Sequence, residues 1–208
     1  MLSSLLKRKL FKVAKENNQK VPINYPQILE KAQSVNHLSD DKIVFSWFCD
    51  SGGLSLSASA TLKHYIVCNT GWALRLIFYN DESTWNAFRI TIGHELTHKD
   101  GDYFSFRIRK RDRKFISRVG EVHADFGAAE KMAACSRQKL LDSTRYKKAL
   151  KKKDKGDFAH PSWERREYYV TNFNFDEKLI RQIARDVGCL NERLIEKITQ
   201  FYKPIVLK

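Results

Sequence analysis

Thr84-Trp85-Asn86-Ala87-Phe88-Arg89-Ile90-Thr91-Ile92-Gly93-His94-Glu95-Leu96-Thr97-His98 is the stretch on which the reading of this chain turns. Trp85, Phe88, Ile92 and Leu96 recur at helical spacing, which predicts a helix with one apolar face. Asn80-Asp81-Glu82-Ser83-Thr84 supplies start chemistry and Asp100-Gly101 a stop, so the helix is expected over about 84–100. His94 and His98 fall one turn apart, roughly opposite the apolar stripe. Two neutral imidazoles at that spacing, in an H-E-x-x-H sequence, can bind one Zn²⁺. Glu95 beside them can act as general base on a water that the metal activates, chemistry that cleaves peptide bonds. The stripe holds the helix on the core and the imidazoles face a cleft.

A catalytic zinc takes three protein ligands, so a third must lie elsewhere. Gly120-Glu121-Val122-His123-Ala124-Asp125 offers three candidates. On a helix expected over about 119–137, Glu121, Asp125, Ala128 and Met132 share one face. His123 points nearly the opposite way and cannot reach the same ion as Glu121. Glu121 is therefore taken as the third ligand. Asp125, one turn on, is placed to accept a hydrogen bond from a ligand histidine and fix its tautomer. Ala128 on that face lets the two helices pack closely. If Glu121→Ala left zinc affinity unchanged, His123 or Asp125 would replace it.

Gly-His-Glu-Leu-Thr-His over 93–98 followed by Glu121-x-x-Ala124-Asp125 resembles the zincin metallopeptidases of the gluzincin type, whose third ligand is that glutamate. Ile77-Phe78-Tyr79-Asn80 and Arg89-Ile90-Thr91-Ile92-Gly93-His94 further resemble the ImmA/IrrE family. The resemblance spans about residues 25–135. It implies a zincin-like α+β fold, a zinc cofactor and an intracellular endopeptidase that acts on a regulatory protein, several members cleaving DNA-bound repressors. The chain departs from the family pattern at Phe126-Gly127 and Glu130-Lys131-Met132, and in the long basic insert before Glu121. His160-Pro161-Ser162-Trp163 resembles a segment that follows the metal helices in other zincins. His160, or Tyr168 or Tyr169, can then donate a hydrogen bond to the developing oxyanion; His160-Pro161 equally reads as a helix opening with Trp163 packed on the core.

The rest of the chain supplies the scaffold. Leu2, Leu5, Leu6, Leu10 and Val13 mark a helix over about 2–16, and Tyr25-Pro26 opens another to about Asn36. Ile43 to Phe48 is an apolar run ended by Ser51-Gly52-Gly53, and residues 54–62 alternate weakly. Tyr65-Ile66-Val67-Cys68 and Ala73 to Tyr79 read as two strands joined around Asn69-Thr70-Gly71. A small, mainly antiparallel sheet over about 43–79 is expected. Lys147 to Asp157 reads as a solvated loop or helix end. The last part, about 176–202, reads as two short helices broken at Gly188. A single domain over 1–208 follows, with N-terminal helices to 36, the sheet, metal helices over 84–137 and a helical part over 160–208.

Composition narrows the functional class. The 208 residues carry 38 Lys plus Arg against 24 acids, a net charge of +14 that suits an acidic partner, nucleic acid or protein. Arg107 to Lys114 is a basic patch. Ala184…Gly188…Leu194 has the spacing of a helix-turn-helix, and reads also as two helices packed on the catalytic core. The alternative reading is thus a basic nucleic-acid-associated regulatory protein with a structural or vestigial zinc site. Cys49, Cys68, Cys135 and Cys189 form neither a cysteine zinc site nor a disulfide framework and read as thiols of a cytosolic protein. The N-terminus lacks a signal-peptide run and no segment is apolar enough to span a membrane, so a cytoplasmic location without membrane contact is expected.

Overall fold

The structure is a computed structural model, which describes residues 4–46, 58–60, 64–101, 110–151 and 154–208. Cys49, the Ser51-Gly52-Gly53 turn signal and the 107–109 part of the basic patch lie outside the described residues. The chain is α+β and mostly helical, and it divides into two compact units, Met1–Ile92 and Gly93–Lys208.

The first unit opens with α1 (Ser4–Glu16) and α2 (Tyr25–Gln33), close to their expected bounds. Three strands follow, β1 (Lys42–Ser46), β2 (Ala58–Ala60) and β3 (Tyr65–Asn69), in the order β1-β3-β2. β2 runs antiparallel to β3, but the longer pairing, Lys42↔Tyr65 through Ser46↔Asn69, is parallel. That corrects the expectation of a mainly antiparallel sheet. Residues 47–64 separate β1 from β3, enough chain for the dozen-residue crossover that a parallel pair needs.

The second correction concerns 73–79. This run is no strand but part of α3 (Thr70–Phe78). Asn69 ends β3 and caps the helix, its side chain accepting from the Trp72 amide. Thr70 through Ile77 are buried on every side. A helix buried all round and a central strand both read as an unbroken apolar run. Trp72 packs against Phe88 of α4 (Glu82–Gly101) with ring centroids 5.4 Å apart, and Trp85 meets the same ring. These large rings form the centre of this unit.

The second unit holds the rest of α4 from Gly93, then α5 (Lys110–Met132), α6 (Arg137–Leu150), α7 (Trp163–Asn172), α8 (Glu177–Val187) and α9 (Glu192–Phe201). α5 starts well before the expected 119. Beneath its lysines and arginines, Asp112, Phe115, Val119, Val122 and Phe126 are all buried and repeat at helical spacing. Lys147 to Leu150 form the last turn of α6, which has Ser136 as its cap. α8 and α9 break at Gly188, whose positive φ of 70° closes α8. No helix among the described residues is long and apolar enough to cross a membrane.

Candidate metal centre

All the residues of the candidate centre lie in the second unit, and small residues bring its two principal helices together. A Cβ added at Gly93 of α4 would lie 3.0 Å from Ala128 Cα and 2.8 Å from Met132 Cγ of α5. A Cβ at Gly127 would lie 2.5 Å from Thr97 Cγ2. The two helices therefore approach so closely that a methyl group at either glycine forces a shift. Thr97 donates its hydroxyl proton to the Gly93 carbonyl, 2.8 Å away, so its one polar group is satisfied inside the contact. Gly127 is thus the residue that admits Thr97.

With the helices so placed, His94 and His98 of α4 face Glu121 of α5. The two Nε2 atoms are 2.9 Å apart. His94 Nε2 lies 3.4 Å from Glu121 Oε2, and His98 Nε2 lies 3.4 Å from Oε1. One ligand atom from each residue falls within 4.8 Å of the others, a cluster that can hold a metal ion. His94 Nδ1 is 2.9 Å from Asp125 Oδ1. A carboxylate only accepts, so Nδ1 carries the proton and donates it. Burial disfavours a charge on His94, but Asp125 and Glu121 outweigh it and raise its pKa. The proton exchanged for a cation is then the one on Nε2, and the lone pair it uncovers points into the cluster. Two imidazoles and a carboxylate suit zinc, so the residues present fit the expected ion.

Arg166 of α7 completes the charge balance. Its guanidinium donates to Glu121 Oε2 at 2.8 Å and to Asp125 Oδ1 at 3.0 Å, and its side chain is 5% exposed. Burial pushes the Glu121 pKa up, but His94, His98 and Arg166 hold it far below the usual carboxylate range. Asp125 is held down likewise, against its burial, by Arg166 and His94. Both acids are therefore anionic, ready to ligate and to orient.

Glu95 is half-buried on the same helix as the histidines. His160 stands at the edge of the cluster, with Nε2 3.4 Å from Glu121 Oε1. Its Nδ1 lies 2.8 Å from each Asp157 oxygen, so Asp157 takes the Nδ1 proton and leaves Nε2 toward the cluster. The loop is built for this. Asp154 accepts from the Trp163 amide, Asp157 accepts from the amides of Ala159 and His160, and Gly156 has φ 68°. A Cβ at Gly156 would lie 2.7 Å from the His160 carbonyl oxygen. His160-Pro161 does open α7, and Trp163 is half-buried. Tyr169 instead donates its hydroxyl to Asp186, and Tyr168 lies beside Arg165 and Phe173. His123 packs between Phe175 and Tyr202, ring centroids 5.0 and 4.4 Å away, turned from the cluster as the helical register requires.

Sequence reasoning missed Arg166 and Asp157. Arg166 is 45 positions from Glu121, and no local spacing links them. Asp157 had a signal, an acid three residues before His160 in a Gly-containing loop. Comparison with known proteins adds nothing to this geometry: no protein-family model, curated protein or solved structure matches the chain.

Proposed function

We propose that the centre is that of a zinc endopeptidase of the gluzincin type, similar to the ImmA/IrrE family. The observation that carries the reading is the convergence of His94, His98 and Glu121 while Asp125 takes the Nδ1 proton of His94. His94, His98 and Glu121 would hold the ion. Zinc at such a site is a Lewis acid that makes water more acidic and a peptide carbonyl more electrophilic. Glu95 accepts the proton of the attacking water and passes it to the leaving amine. His160, its Nδ1–H held by Asp157, would donate from Nε2 to the carbonyl oxygen as charge builds there in its imidazolium form, the only form with a second N–H. Arg166 holds Glu121 and Asp125 in place throughout.

The alternative, a nucleic-acid-associated protein with a vestigial site, draws on the +14 charge. The C-terminal helix pair lends it little. Along α9, Glu192 and Glu196 offset Arg193 and Lys197, and Arg181 of α8 is tied to Glu177 and Glu192. A regulatory protein reached on DNA is the substrate class that joins both readings.

Elemental analysis tests the site. Protein purified without chelator should carry about one zinc per chain by the three-ligand chemistry, and His94→Ala should lose it. Glu95→Gln should keep the metal and lose cleavage of a casein or peptide-library substrate. A chain that takes up no zinc on reconstitution, or a Glu95→Gln protein of full activity, overturns the proposal.

A further inference from the structure

Beside the metal cluster, α6 and α7 gather positive charge on one aromatic ring. Arg166 Cζ lies 4.6 Å from the Trp163 ring centroid, Lys147 Nζ 5.4 Å and Lys151 Nζ 5.9 Å. Arg166 is neutralised by Glu121 and Asp125. The other basic residues of this helical turn have a carboxylate partner, Arg145 and Lys148 sharing Glu167, at 2.7 and 2.9 Å. Lys147 and Lys151 make no ion pair with a carboxylate among the described residues. Like charges one helical turn apart repel, and an indole face compensates them only in part.

The Lys147 ammonium is close enough to the centre to feel Asp125, Arg166, Glu95 and Glu121, and burial pulls its pKa down to about 8. It is still charged at neutral pH. Its acidic neighbours have other partners: Glu121 and Asp125 are shared among His94, His98 and Arg166, and Glu95 has a contact of its own. A half-buried ammonium that rests on an indole face and forms no ion pair with a carboxylate among the described residues, close to the metal cluster, is arranged for an anion that arrives from outside.

We propose that Lys147, with Lys151 beside it on Trp163, anchors a carboxylate of the substrate, so that the centre selects peptides carrying negative charge close to the bond that is cut. The inference rests on the zinc peptidase reading and names its substrate class. The carboxylate belongs either to an Asp or Glu side chain or to the chain terminus; the ammonium recognises the group common to both.

The test uses the full chain loaded with cobalt(II), whose visible bands report both the metal and its ligands. Three malonyl hydroxamates serve as probes: an alanine amide (neutral), a glutamic acid α-amide (side-chain carboxylate) and an alanine free acid (terminal carboxylate). At least one charged probe should bind about tenfold more tightly than the neutral one, as a charge-assisted contact gives. Which of the two gains identifies the source of the carboxylate. Lys147→Met should keep the cobalt bands and the neutral probe and lose the preference; Lys147→Arg should retain it. Should the Met variant fail to fold, the wild-type protein still decides, because its affinity ratio should fall toward one above about pH 8 as Lys147, facing Glu95, Glu121, Asp125 and Arg166, loses its proton. Equal affinities in the wild type, a ratio that ignores pH or a preference that survives Lys147→Met overturns the proposal. Absence of cobalt uptake is a separate result, which removes the peptidase reading and this inference with it.

Discussion

Asp125 illustrates how much of the centre depends on residues that touch no metal. It fixes the Nδ1 proton of His94 and shares Arg166 with Glu121. Asp125→Asn keeps the shape but lets an amide donor face the imidazole, which favours the wrong tautomer. Zinc affinity, measured by competition with a chromogenic chelator, should fall about 10- to 100-fold while the fold persists. Unchanged affinity would show that the histidine is oriented by packing alone. At this scale the sequence was readable where helical register converts spacing into direction. His94 and His98 are one turn apart, and Glu121 and Asp125 lie on one face while His123 turns to Phe175 and Tyr202. Arg166 was not readable, because an ion pair 45 positions apart leaves no local trace.

At the scale of elements, the α4–α5 contact sets the spacing of the cluster that could hold a metal. Gly127→Ala places a methyl group 2.5 Å from Thr97 Cγ2. The overpacking should cost about 1–3 kcal/mol in chemical denaturation and weaken zinc binding as α5 shifts. Thr97→Ala removes both nearest atoms, so the double variant should regain much of the loss. Strict additivity of the two changes would show that the residues do not meet. The misread elements have related causes. α3 is apolar on every side and so carries no period, and the start of α5 hides Phe115 and Val119 under a run of cations. The parallel β1–β3 pairing was invisible because no local spacing encodes a crossover.

For the chain as a whole, acid sensitivity follows from carboxylates held in ionised form. Asp186 is a clear instance outside the candidate metal centre. Burial pushes its pKa up, but hydrogen bonds from Arg165, Tyr169 and Gln182 pull it below the ordinary value. A depressed folded-state pKa contributes stability that is complete above the unfolded pKa of about 4 and lost as pH falls through the folded one. Asp186→Asn should therefore be less stable than the parent at pH 7, and the difference in thermal midpoint should shrink below about pH 4. A difference that stays constant from pH 7 to pH 3 would contradict this origin.

The loop that carries His160 also bears on how such a centre diversifies. Its ends are fixed by Asp154, Gly156 and Asp157, and position 156 is closed to larger residues by the His160 carbonyl and the Ser162 amide. Between these anchors Lys155 and Phe158 face solvent. Mutational drift can rewrite those exposed positions without displacing the histidine, so on the proposed peptidase reading a new preference for substrate can evolve here while the chemistry stays the same.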